Sequence, residues 1–496
     1  MDAQERIAEL EAELRGKDAQ LAERDARIEE LEQLVTKLTE QVQTLTKQVE
    51  MLSEKLGRNS SNSHLPPSSD PPGRTGSGTT STKSKSKPKG KRKRGGQRGH
   101  RGAHRALLPE DQVDTFEHLF AHQCENCWAP LPKVPDSRAK RYQVTEVPPV
   151  KPHITEYRRH AVECPDCGHQ TRAPYDERIP SSPFGPRLMS IIALLTGIYN
   201  VSRRKAATLL SDMLDVQISL GAISAVEARA SEAVKPAVEE VCDHVEHAAV
   251  KHTDGTSWLQ AGILLSLWTI ATKGATLFKI VADGSSATLK PLFGALKGIL
   301  VSDRAGALNF WAMKQRQICW AHLLRKFVSF SQRDGRAGAL GRDLLNYTGI
   351  LFEYWHDYKA GKLDQQTFRA WMTPVRVQIE ELLGKAVAAD IERLSGSCAN
   401  ILDHKDALWT FLWHDDVEPT NNHAERELRA FVLWRKRCFG TQSERGNRFA
   451  ERMMTIGHTA RKQGKDVLAL LTACCEAYQA NTAAPSLFQA DNAAAA

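Results

Sequence analysis

Apolar residues recur at every seventh position through the first 56 residues. One column holds Ile7, Leu14, Leu21, Ile28, Val35, Val42, Val49 and Leu56. A second, three residues on, holds Leu10, Lys17, Arg24, Leu31, Leu38, Leu45 and Leu52, with two basic interruptions. Such columns between polar flanks are the a and d positions of a coiled coil. β-Branched residues at a with Leu at d favour a parallel two-stranded one. The pattern predicts a multimerisation helix over 1–56, making a homodimer or higher multimer through residues 7–56. Lys17 and Arg24 weaken its N-terminal end.

The periodicity stops at residue 57. Ser, Pro, Gly, Thr and Lys dominate 57–106, which cannot bury a core and reads as a disordered linker. Short β-like stretches (TFEHLF, RYQVTEVPPV, HITEYRRHAV) follow in 107–180. Residues 181–247 turn helical: PRLMSIIALLTGIYN, then SRRKAATLLSDML, a break at VQISL, and a further helical run from GAISAVEARAS. The last three resemble a helix–turn–helix with Arg203 and Arg204 at its start, a shape that enters the major groove. Three packed helices with no DNA role fit the same pattern. Residues 248–303 read as strands AAVKHTD, LLSLWTIA and TLFKIVA, a crossover helix SATLKPLFGAL, and a fourth strand GILVSD. That order is the start of an RNase H-like sheet. Residues 304–415 are mainly helical. Residues 416–480 carry a helix from near Asn422 and another through 465–479, and 481–496 is a frayed tail. The fold class is multidomain α+β.

Composition narrows the function. Net charge is +8, and eleven Lys or Arg with no acid lie between Lys83 and Arg105; without them the chain stands at −3. A near-neutral body with one cationic segment, including Lys91, Arg92, Lys93, Arg94 and Arg98, implies a polyanion partner bound through phosphates in a salt-dependent way. No run approaches the ~18 apolar residues of a membrane span. The charged N-terminus is not a secretory signal. Ten cysteines without an export signal point to a reducing compartment and to metal ligation rather than disulfides.

Two constellations carry candidate chemistry. Cys124-Glu-Asn-Cys127 and Cys164-Pro-Asp-Cys167 are CxxC knuckles, and together they supply four thiolates for a closed, structural Zn²⁺ site in a zinc-ribbon-like module. Asp254 ends the first strand of the sheet and Asp303 the fourth. In an RNase H-like sheet these strands are neighbours, so the two carboxylates meet. A third acid would complete a cage for Mg²⁺ or Mn²⁺, with two ions ~3.5–4 Å apart. Glu425 is the best third acid. Asn422-x-x-Glu425 also resembles a capping box, Asp254-Gly255 a turn, and Asp303 an ordinary strand-end acid. Asp283, Asp334, Glu427 and Glu444 are rivals. Cys319-Trp320-Ala321-His322 offers two metal donors with no second pair in sequence. It reads better as a buried Cys with His322 hydrogen-bonded near the active edge.

The ordered features GRNSSNSHLPPSSD, GGQRGHRG, the paired CxxC knuckles, HTDGTSW, GILVSD, ICWAHLLRKF and NNHAERELRAFVLWRKRCFG followed by SERG resemble the DDE transposases of the insertion sequence sixty-six family over about residues 7–475. The resemblance implies that Asp254, Asp303 and Glu425 are the catalytic acids, and that 304–415 is a helical insertion between the second and third. It departs from the family where Gly255 replaces a usual Glu and where Arg304-Ala305 replaces a usual Gly and aromatic. The expected function is a DNA transposase that binds terminal repeats, hydrolyses 3′ ends with Mg²⁺ and transfers the strands to target DNA. Arg426, Arg429, Arg435, Lys436 and Arg437, with Arg325 and Lys326, would hold phosphates. Accessory proteins encoded beside it and a bacterial cytoplasmic, nucleoid location fit that expectation. Two alternatives are a zinc-containing DNA-binding regulator without catalysis and a structure-selective nuclease on the same fold.

Overall fold

The structure, a computed structural model, describes residues 3–57, 105–175, 179–180 and 182–488. Lys91, Arg92, Lys93, Arg94 and Arg98 lie outside the described residues. Along the chain, α1 (Ala3–Gly57) is followed by the strands β1 (Ala161–Glu163) and β2 (Gln170–Arg172). Four helices come next: α2 (Pro186–Ala193), α3 (Arg203–Leu214), α4 (Leu220–Ala233) and α5 (Lys235–His247). Then come β3 (Val250–Gln260), β4 (Ile263–Ala271), β5 (Thr276–Val281), α6 (Ser286–Phe293), β6 (Ile299–Ser302) and β7 (Arg316–Ile318). The rest is helical: α7 (Trp320–Ser331), α8 (Gly335–Lys359), α9 (Gln365–Ala388), α10 (Ser395–Asp403), α11 (Asn422–Cys438), α12 (Glu444–Lys462) and α13 (Val467–Ala480). The chain forms two compact units, residues 1–78, 180–202 and 224–496 in one, and 79–179 and 203–223 in the other.

In the smaller unit β1 and β2 pair antiparallel, Ala161 opposite Arg172. Only the end of HITEYRRHAV becomes a strand. TFEHLF and RYQVTEVPPV form no strand, and Leu119, Tyr142 and Val144 are exposed. Pro148 and Pro149 lack the N–H groups that a ladder needs. The segment is tied by side chains instead: Leu108 N–H donates to Gln143 Oε1 at 2.8 Å and Gln143 Nε2 to Leu108 O at 3.0 Å. α3 ends in a turn with left-handed Asp215 (φ 53°), at the predicted break.

In the larger unit α1 is one continuous helix. Its heptad residues Leu21, Ile28, Leu31, Val35, Leu38, Val42, Leu45 and Val49 are all exposed. A mixed five-stranded sheet in the order β5-β4-β3-β6-β7 forms the centre. β5, β4 and β3 are antiparallel, while β6 and β7 run parallel to β3. β4, β5 and β6 match the expected stretches, and β3 begins as expected but runs on to Gln260. β7 was not expected, because three residues beginning Arg316-Gln317 carry no strand pattern. Here both polar side chains are fully buried, and Arg316 donates to Ser302 Oγ (3.1 Å) and to Asp303 O (2.9 Å). α12 was also missed. Ile299, Val301 and Ile318 pack into one core with α7–α10, and Trp258, Leu267 and Phe278 into another with α11 and α12.

Both outer strands are closed by side chains. Along β5, Thr276 and Phe278 N–H donate to Thr459 and Thr455 Oγ1, each at 3.1 Å, and Ile280 N–H to Glu451. Two residues of strand advance ~6.7 Å and four of helix ~6 Å, so helix positions four apart keep step with alternate strand amides. At β7, Thr410 Oγ1 donates to Arg316 O (2.5 Å), and the Gln317 side chain accepts from Phe411 N–H (2.9 Å) and donates to Leu408 O (3.1 Å).

The joint between β3 and β6 sets the site. Their register pairs Val250 with Ile299, Lys251 with Leu300 and His252 with Val301. Lys251 is fully buried, and its ammonium donates to Ala248 O and Lys297 O, one carbonyl at the entry of each strand. Burial lowers its pKa to about 8. Gly298 enters β6 at φ +87°, where a Cβ would stand 2.4 Å from Ala249 O. Gly298→Ala should therefore cost about 2–4 kcal/mol, from the left-handed penalty plus the backbone clash. Thermal denaturation followed by circular dichroism should show a melting temperature several degrees lower.

Candidate active site

Asp254 lies within β3, and Asp303 directly follows β6. Continuing the parallel register two residues beyond His252–Val301 brings the two acids abreast, and parallel partners share a face. The expectation that Asp254 ends its strand is corrected. β3 runs on to Gln260, and Asp254 pairs with Thr269 of β4. The acid sits where β6 stops pairing with β3 while β4 continues, so it borders a gap in the sheet. The turn reading of Asp254-Gly255 falls for the same reason. Gly255 N–H donates to Asp254 Oδ1 (2.9 Å), and Ala305 N–H donates to Asp303 Oδ1 (3.0 Å). A Cβ on Gly255 would meet the Trp268 indole at 2.8 Å. The Trp268 ring lies against this backbone.

Glu425 arrives from the first turn of α11. It does not complete a capping box, because the N-cap is Asn421 and makes no side-chain cap bond. The Asn421 Nδ2 donates instead to Thr253 O (2.7 Å), and its N–H to Cys319 Sγ (3.1 Å). These bonds fix the start of α11 against β3. Glu425 Oε2 lies 3.5 Å from Arg325 Nη2, and Oε1 lies 3.7 Å from His322 Nδ1. Arg325 thus faces a carboxylate, not a free surface. The pKa of Asp254 rises to about 7, first from burial and then from the negative charges of Asp303 and Glu425. Asp254 therefore feels the charge of both other acids. Glu425 Oε1 is buried with no hydrogen-bond partner. The three carboxylates share one edge of the sheet, though their oxygens are not all within 4.8 Å of one another, and oxygen donors of this kind suit a hard divalent cation such as Mg²⁺.

Three of the four rival acids have side-chain partners of their own. Asp283 accepts from Ser285 N–H (2.9 Å) and Thr288 Oγ1 (2.7 Å). Asp334 stands at the N-cap of α8 and makes no side-chain cap bond. Glu444 pairs with Arg448 at 2.7 Å. Burial opposes the charge on Glu427, but hydrogen bonds from His458 and Lys462 and their charges hold its pKa at about 2.

Arg426, Arg429, Lys436 and Arg437 are exposed along α11, at spacings that fall on one face. Arg435 is not among them. It donates to Thr256 Oγ1 (3.1 Å) and Ser257 O, and so fastens α11 to β3. Arg203 and Arg204 are exposed at the start of α3.

The two CxxC knuckles share one backbone design. Cys124 N–H donates to Ala129 O and Cys164 N–H to His169 O, both at 2.9 Å. Trp128 and Gly168, each just after the second cysteine, are left-handed and donate back to Cys124 O and Cys164 O. Backbone N–H groups of residues 126–127 and 166–167 lower the pKa values of Cys124 and Cys164, as a thiolate ligand requires. Among the described residues, the one group of three or more candidate donors within 4.8 Å is Cys319, His322 and Glu425, so the four knuckle sulfurs are not gathered. All ten cysteines are free thiols.

The family model of the Transposase IS66 family matches residues 181–448. The chain belongs to the IS66 family of transposases. A second model, a family of unknown function (DUF6444), matches residues 17–106. No curated protein matches the chain. The transposase match spans α2 to the first turns of α12 and includes all three acids and the insertion; both knuckles lie outside either match. No described helix of this transposase is long and apolar enough to cross a membrane.

The raised Asp254 pKa sets a pH dependence. Its unfolded value is near 3.8 and its folded value about 7. Stability from the bound proton is complete below the first and lost as pH rises through the second. Asp254→Asn should therefore melt above wild type at pH 8 without Mg²⁺, by a few degrees, and the gap should close toward pH 5. Mg²⁺ should stabilise the wild type at pH 8 and leave the variant almost unmoved. Melting curves at both pH values check this.

Proposed function

We propose that this transposase binds the ends of its DNA element, hydrolyses the 3′ ends and joins the freed 3′-OH groups to target DNA, all at Asp254, Asp303 and Glu425. The observation that carries the reading is the β3–β6 register that brings Asp254 beside Asp303, with Glu425 close enough to raise the Asp254 pKa. The strand order agrees with an RNase H-like catalytic sheet. The three carboxylates would hold Mg²⁺ or Mn²⁺, which supply activation of the attacking hydroxyl and stabilisation of the leaving oxygen. Asp254 gives up its proton to serve as a donor. The Ala305 N–H orients Asp303. Arg325 steadies Glu425 through Oε2, while His322 faces Oε1.

The outer face of α11, through Arg426, Arg429, Lys436 and Arg437, follows the phosphate backbone. The basic segment with Lys91 to Arg98 adds salt-dependent, sequence-independent affinity. The α3–α4 pair, led by Arg203 and Arg204, reads the ends. The exposed heptad face of α1 pairs with that of a second copy, which removes its apolar columns from water. Cys124, Cys127, Cys164 and Cys167 take one structural Zn²⁺. The preformed knuckles support this, and the ion supplies the attraction that draws four thiolates together. Work on DNA with free thiols suits a reducing cytoplasm, at the nucleoid.

Labelled DNA carrying the terminal repeats that flank the gene, incubated with Mg²⁺ or Mn²⁺, tests the reading. Wild type should nick at the repeat ends and transfer strands. Asp303→Asn and Glu425→Gln should lose both by about a hundredfold or more, with end binding within a few fold. Binding without nicking, even with neighbouring gene products added, would identify a regulator. Cutting by DNA shape without strand transfer would identify a nuclease. Elemental analysis after dialysis against a weak chelator should find one tightly held zinc per chain, lost in Cys164→Ser. Finding no zinc in fresh protein would refute the module.

A further inference from the structure

Cys319, His322 and Glu425 come from two helices. Cys319 is the N-cap of α7, held by its N–H to Ser302 O (2.8 Å) and by the Asn421 N–H on its sulfur (3.1 Å). His322 lies three residues on, so both side chains occupy one helix face. Glu425 completes the group from α11, and sequence spacing alone could not bring it there. One donor atom from each lies within 4.8 Å of the others. The His322 Nδ1 to Glu425 Oε1 separation is 3.7 Å, longer than a hydrogen bond. It is close to the ~3.3 Å edge between nitrogen and oxygen ligands that each sit ~2 Å from a tetrahedral ion. Arg325 engages Oε2, which leaves Oε1, buried and without a hydrogen-bond partner, for this cluster.

We propose that Cys319 Sγ, His322 Nδ1 and Glu425 Oε1 form a second metal site, selective for a borderline ion such as Zn²⁺. A sulfur, an imidazole and a single carboxylate match Zn²⁺ or Co²⁺, whereas Mg²⁺ prefers oxygens alone. Three protein donors leave a fourth position open, so this site is weaker than a four-cysteine one. It is distinct from the oxygen cage but shares Glu425 with it. An ion seated here draws Glu425 toward α7 and away from Asp254 and Asp303. Zn²⁺ thereby acts as an inhibitor of the metal-dependent reaction. The binding claim stands on the three donors; the inhibition rests on the catalytic role proposed above for Glu425.

The test titrates Co²⁺ into the full-length protein with its tightly held zinc in place and loose metal removed. Wild type should take up one further equivalent, with sulfur-to-cobalt absorbance in the near ultraviolet and visible bands of four-coordinate Co²⁺. Cys319→Ser should lose the sulfur band. His322→Ala, a half-buried position, should bind at least about tenfold more weakly while melting like wild type. Asp254→Asn should keep the equivalent. No further equivalent in wild type, or its full retention in His322→Ala, would overturn the site. A second arm adds stoichiometric Zn²⁺ to Mg²⁺-driven nicking by wild type and expects a several-fold loss. If nicking is absent for other reasons, the cobalt titration still decides the binding claim. If Co²⁺ binds and Zn²⁺ leaves nicking unchanged, the inhibitory role falls.

Discussion

Three residue pairs between β3 and β6 carry the molecule's central constraint. Parallel pairing fixes which side chains stand abreast, and a slip of one residue would turn one carboxylate to the opposite face. The chain guards this register at the strand entries. The buried Lys251 ammonium bridges a carbonyl from each strand, and Gly298 brings β6 in over Ala249. An unshared buried ammonium is costly, but two carbonyl acceptors offset much of that cost and make the misregistered alternative worse. The acids then meet where β6 ends and β4 goes on, a gap bounded by rigid strand rather than loop.

The third carboxylate needs a different solution, because a long helical insertion separates it from the second. α11 is anchored to β3 at both ends. Asn421 holds its start to Thr253, and Arg435 holds its last turn to Ser257. Between them Phe431 and Trp434 pack edge-on against the fully buried Trp258, whose Nε1 donates to Asn447 Oδ1 at 3.1 Å. Rigid supports of this kind can hold three like charges together. Burial first, and then the neighbouring negative charges, raise the Asp254 pKa, and a cation would relieve the repulsion.

Much of this was legible in the residues. The heptad columns mark α1 to within a few positions, and the strand–helix–strand order with its two acids is plain from apolar runs and turns. What escaped has physical reasons. β7 is short, and its polar residues are buried by partners remote in sequence. α12 carries an apolar stripe in Phe449, Met453, Met454 and Ile456, interrupted by Thr455 and Thr459, which are buried to serve strand amides. Arg435 looks like its basic neighbours and differs only in facing β3. Glu425 is indistinguishable from a helix cap until Asn421 is seen to occupy that place. In 107–160, alternation suggests strands, but alternation alone does not provide a neighbour to pair with.

The closed margins of the sheet bear on how copies of this protein tolerate crowding. A bare β-edge is a template for any other strand held nearby. Chains gathered on one stretch of DNA meet at effective concentrations far above those in bulk. β5 has its outer amides taken by α12, and at β7 Arg316 O accepts from Thr410 while the Gln317 side chain ties down the segment from Leu408 to Phe411, so both outer strands of the described sheet are covered. Crowded copies can then associate through side-chain surfaces, without the risk of fusing sheet to sheet.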